Sequence, residues 1–72
     1  MKAVILSIGG VSDKEAQQVK EILRESRSPD ESFSNTFPER YYAMEEEGPT
    51  GLLTVYFDGG MSTVEQKKEI EY

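Results

Sequence analysis

A small α+β domain is what this sequence predicts, with a mainly antiparallel sheet carrying one long helix on one face. Three observations lead there. Residues 2–8 are a continuous aliphatic run, a capped amphipathic helix follows at once, and two β-rich runs come next, separated by a short turn-forming stretch.

In the first run Val4, Leu6 and Ile8 point to one face, and Ala3, Ile5 and Ser7 to the other. A strand apolar on both faces belongs in a sheet interior or at a buried edge. Gly9-Gly10 ends it. Ser12-Asp13-Lys14-Glu15 then has capping-box spacing, with Ser12 as N-cap and Glu15 at N3. The helix it opens aligns Ala16, Val19, Ile22 and Leu23 in one stripe and leaves Lys14, Gln17, Gln18, Glu21, Arg24 and Glu25 to water. It is expected to end near Ser26, ahead of Pro29.

Residues 26–38 are rich in turn formers and carry two readings. One is a short helical turn with Ser28 as cap and Pro29 at N1, which puts Phe33 and Phe37 on one face. The other is a polar, mobile connection. The stretch from Arg40 to Glu46 alternates, with Tyr42 and Met44 on one side, and pairs through Gly48-Pro49-Thr50-Gly51 with the β-formers Leu52 to Phe57. Asp58-Gly59-Gly60 closes that second strand.

Two signals compete at the C-terminal end. Ser62-Thr63-Val64-Glu65 is a second capping-box pattern and Glu65 to Glu69 favours helix, whereas Asp58-Gly59 is a hairpin turn and Val64, Ile70 and Tyr72 share one face of a strand. Helix is the favoured reading. The order is then β-α-β-β-α, or β-α-β-β-β if the tail is a strand. The first order resembles a ferredoxin-like fold lacking its final strand. It leaves the first strand short of a neighbour, which a partner chain would supply.

Length and composition set the wider bounds. The 72 residues make one domain, 1–72, with a thin core at 36% apolar content. There is no cysteine and no histidine, so disulfides are impossible and a structural zinc site is not expected. Small domains without such staples often self-associate, and a homodimer is therefore one expectation. The N-terminal apolar run is much shorter than a membrane span or a signal-peptide core, which points to a cytoplasmic protein with no membrane partner.

The formal charge of −6 is local. Residues 1–29 carry five basic and four acidic side chains, and residues 59–72 carry two and three. Residues 30–58 hold seven acids, Asp30, Glu31, Glu39, Glu45, Glu46, Glu47 and Asp58, against Arg40 alone. Charge of this sign repels nucleic acid and favours basic partners.

Catalytic chemistry finds little to work with. Serine or threonine nucleophiles need a base, and there is no histidine, while Lys2, Lys14, Lys20, Lys67 and Lys68 lie in exposed or terminal contexts. Gly9-Gly10 lacks the spacing of phosphate-binding loops, and Asp13 and Glu15 already occupy that helix start. Consecutive carboxylates at 45–47 point to opposite strand faces and do not form a calcium loop. No catalytic residue, cofactor or metal is implied. Tyr41, Tyr42, Tyr56 and Phe57 lack the basic flanks of an RNA-stacking surface. Ser28-Pro29-Asp30-Glu31 matches an acid-directed phosphorylation pattern, which its capping role explains equally well.

Two roles are expected from these residues. The first is a non-enzymatic binding protein that inhibits or regulates a basic protein partner through Glu39, Tyr41, Glu45, Glu46, Glu47, Tyr56 and Asp58. A nucleic-acid mimic, of the viral or mobile-element kind, is one variant. The second is a self-assembling accessory subunit that uses the first strand or the tail as its interface.

Overall fold

In a computed structural model the described residues are 2–58 and 65–72. The elements are β1 (Lys2–Ser7), α1 (Asp13–Glu25), α2 (Pro29–Thr36), β2 (Tyr41–Glu46), β3 (Leu53–Phe57) and β4 (Gln66–Glu71). The chain is α+β, with two short helices and a four-stranded mixed sheet in the order β2-β3-β1-β4. β1 runs parallel to β3, and the β1–β4 and β2–β3 ladders are antiparallel. The expected β2–β3 hairpin is therefore present, but the central β1–β3 pair is parallel. A second short helix stands beside the expected one, and the C-terminal strand pairs with β1 and not, as an Asp58-Gly59 hairpin would have it, with β3.

The C-terminal segment corrects the favoured reading, because residues 66–71 are strand and not helix. Local helix propensity yields to pairing with β1, which sets Ile70 beside Ala3 and lets Ile70 and Tyr72 pack on the core. Lys2 and Glu69 pair at 2.7 Å across the same ladder, and the Lys68 ammonium meets Asp13 at the start of α1. β4 thus fills the place beside β1 that the β-α-β-β-α order left empty. Of the two interfaces named for self-assembly, the first strand is thus covered by the chain itself, while the tail, as β4, forms an edge of the sheet. The second capping-box pattern at 62–65 and the Gly59-Gly60 turn lie largely outside the described residues.

One sheet face carries Ala3, Ile5, Leu53, Val55 and Phe57, all buried, and against it pack Ala16 and Val19 of α1, Phe33 of α2, and Phe37. α1 begins as its sequence requires. The Glu15 amide donates to Ser12 Oγ at 3.1 Å and the Ser12 amide to Glu15 Oε1 at 3.0 Å. Its last bond, from the Ser26 amide to the Ile22 carbonyl, closes the helix at the expected place.

Within residues 26–38 the helical reading describes the chain, at greater length than one turn. Pro29 stands at the start of α2, Asp30 and Glu31 lie in its first turn, and Phe33 is fully buried. Ser28, however, makes no side-chain capping bond. Ser26 takes over locally, since its hydroxyl accepts from the Ser28 amide at 3.2 Å and lies 2.6 Å from the Ser32 hydroxyl. Ser28 thus holds the expected N-cap position, its carbonyl accepting from the Ser32 amide at 3.0 Å, but it caps with its backbone alone.

A register shift between Tyr41 and Ala43 changes the face assignment of β2. Tyr41 sits opposite Phe57 and Met44 opposite Val55, so Tyr41 and Met44 pack toward the core, while Tyr42 is 62% exposed. Strict alternation pairs Tyr42 with Met44, and the bulge breaks that parity.

Candidate functional site

The acidic hairpin is built from its turn outward. The Glu47 amide donates to the Leu52 carbonyl at 2.8 Å and the Gly51 amide to the Glu47 carbonyl at 2.9 Å, with Gly51 at φ 70°, a conformation suited to glycine. Thr50 Oγ1 accepts from the Leu52 amide at 3.2 Å. Because the Glu47 amide donates to the Leu52 carbonyl, alternation along the antiparallel ladder turns the backbone groups of Glu45 and Ala43 toward β3 as well. Those of Met44 and Glu46 then face outward. Among the described residues β2 has no strand on that side.

Side chains on this strand alternate as well. Ala43, Glu45 and Glu47 lie on the helix-free face, and Met44 and Glu46 on the helix face. Glu39, Glu45, Glu46 and Glu47 are all exposed. The Tyr56 hydroxyl donates to Glu45 at 3.3 Å diagonally across the ladder. Partial burial pushes the Tyr56 hydroxyl upward, and the neighbouring Glu45 carboxylate adds to that.

Two of the seven expected contact residues are used internally. Tyr41 stacks on Phe33 at 5.4 Å between ring centroids, and its hydroxyl donates to Asp30. Asp58 belongs to a cluster around Arg40. Glu39, Glu45, Glu46, Glu47 and Tyr56 remain at the surface of the hairpin or just before it, and Tyr42 joins them. The sequence held a signal for Tyr42 in the adjacent Tyr41-Tyr42 pair, since only one of two consecutive aromatics in a strand can face the core.

Arg40 links four parts of the chain. Its Nε donates to Asp58 Oδ1 at 3.1 Å and its Nη2 to Asp58 Oδ2 at 2.8 Å, a two-pronged contact suited to guanidinium. Nη2 also donates to the Gly10 carbonyl at 2.8 Å, and Nη1 meets Glu15. The guanidinium lies 5.6 Å from the centre of the Phe57 ring. Asp58 adopts φ 58°, donates its amide to the Arg40 carbonyl at 2.6 Å, and accepts weakly from the Gly9 amide at 3.4 Å. An own-chain carboxylate therefore stands where an anion at the Gly9-Gly10 turn would bind.

These contacts set the titration behaviour of the cluster. Asp58 is held below the usual carboxylate range chiefly by Arg40, against an opposing effect of burial. Burial alone would raise Glu15, but the Ser12 amide and Arg40 together outweigh it and the carboxyl lies low. The guanidinium is held in its charged form mainly by Asp58. Tyr41 is shifted the other way, raised by burial and by Asp30. A tyrosine whose folded pKa lies above its unfolded value supports folding below about pH 10 and loses that support as pH rises further. Urea midpoints measured through alkaline pH are accordingly expected to fall above about pH 10, and to fall less in Tyr41→Phe.

Among the described residues no group of three carboxylates is gathered closely enough to hold a metal, and no helix is long and apolar enough to cross a membrane. No protein-family model, curated protein or solved structure matches this chain.

Proposed function

We propose that this chain is a small, non-catalytic binding protein that regulates a protein partner with a basic surface, through β2 and the hairpin that follows it. The observation that carries the reading is a run of exposed side chains of one charge, Glu45, Glu46 and Glu47, leading from an edge strand into its turn, with Glu39 exposed just before that strand. Exposed carboxylates steer a basic partner and select it over neutral ones. The exposed Tyr42 and the half-exposed Tyr56 supply contact area at low entropic cost. Asp58, engaged by Arg40, supports the fold and not the contact.

The test is binding of an oligolysine peptide to the protein and to a variant carrying Glu45→Gln, Glu46→Gln and Glu47→Gln. Three exposed charge pairs are together worth roughly 1–2 kcal/mol, so the variant should bind about tenfold more weakly. The affinity of the parent protein should fall as salt rises. Equal binding by the two proteins, or binding indifferent to salt, would contradict the reading.

A further inference from the structure

We infer that the partner's basic segment is extended and adds to the outer edge of β2 as a further strand; this rests on the reading of β2 as the contact surface. The outward N–H and C=O groups of Met44 and Glu46 have no strand partner among the described residues, and such a row is a template for another chain. The two edges of the sheet are guarded differently. β4 presents Lys67, Lys68, Glu69 and Glu71, charges of both signs that complement no particular strand. β2 has acids of one sign in its second half, and uncharged Tyr42, Ala43 and Met44 in its first.

A guard of one sign acts selectively. It repels a second β2, whose acids would add like charge, and it attracts a strand of opposite sign. Side-chain alternation specifies that strand further. Basic residues at every second position lie beside Glu45 and Glu47 on the helix-free face, and apolar residues between them lie beside Met44, which packs against the core. The occupant is thus an extended segment alternating Lys or Arg with β-branched residues.

Two peptides of equal length and charge separate strand addition from simple charge attraction. One alternates Lys and Val; the other alternates Lys and Pro, which has no N–H at its proline positions to join a ladder. The Lys-Val peptide should bind about tenfold more tightly, and N-methylation of the amides along one of its edges should abolish that advantage. Glu46→Pro, which removes an outward N–H and leaves the β2–β3 ladder whole, should weaken Lys-Val binding about tenfold, against a twofold to threefold loss for Glu46→Gln. Equal affinity for both peptides overturns strand addition while the acidic-surface reading survives. Loss of binding by neither peptide on neutralising Glu45, Glu46 and Glu47 overturns both. Concentration-dependent dimers of the free protein that Glu46→Pro dissolves would show the edge taken by a second copy, and would also overturn the inference.

Discussion

Replacing Phe33 with alanine should remove about 3–5 kcal/mol of stability, the cost of emptying a fully buried aromatic site. A chain of this length has roughly 4–11 kcal/mol in all, at ~0.05–0.15 kcal/mol per residue, so the variant should be partly unfolded at room temperature. The size of the effect follows from position. Phe33 is the buried side chain of α2, it stacks on Tyr41 at the start of β2, and its carbonyl accepts from the Phe37 amide at 2.8 Å. Phe37 in turn packs on Phe57 at 5.0 Å. Were residues 26–38 only a polar connection, the same substitution would cost well under 1 kcal/mol, as exposed changes do. Urea denaturation of the two proteins separates these outcomes.

Arg40→Met should be the second most damaging change, at roughly 2 kcal/mol. Methionine keeps an apolar stem against Phe57 but leaves the Glu15 and Asp58 carboxylates facing one another without a cation. The side chains of the cluster are a fifth to a third exposed, so the loss falls short of the 3–5 kcal/mol typical of a fully buried pair. Its pH dependence is the more specific sign. Glu15 and Asp58 have folded pKa values below their unfolded ones, so their contribution is complete above the unfolded values, near about pH 4–4.5. It is lost as pH falls through the folded values. The parent protein should therefore weaken on acidification below about pH 4.5. In Arg40→Met that acid limb should flatten, because protonation there relieves repulsion. Arg40→Lys should rescue only part of the loss, since an ammonium cannot make the two-pronged contact with Asp58.

Where a signal was local, the sequence was legible. The aliphatic run of β1, the Ser12–Glu15 box of α1 and the four-residue connection of the hairpin each depend on neighbours within a few positions, and each took its expected form. β4 was decided by a distant partner. Glu65-Gln66-Lys67-Lys68-Glu69 favours helix by itself, and only pairing with β1 overrides that preference. Tyr42 was misplaced for the same kind of reason, since a bulge is set by how two strands fit and not by the alternation of one. Of the candidate site, the acidity was visible in the composition of residues 30–58, but the role of Arg40 was not. Its carboxylate partners lie 25 and 18 residues away in sequence, and only the folded chain brings Glu15, Asp58 and Gly10 to one guanidinium. That cluster also explains why Asp58, counted by charge among the contact residues, belongs to the scaffold.

On the proposed function β2 and its hairpin, and no other surface, meet the partner. Titrating the ¹⁵N-labelled protein with the alternating Lys-Val peptide tests it residue by residue. Amide shifts should concentrate in residues 39–47, largest at Met44 and Glu46, with α1 and β4 unmoved. Shifts gathered on α1 or β4, or spread evenly over every exposed carboxylate, would place the contact elsewhere and overturn the assignment to β2.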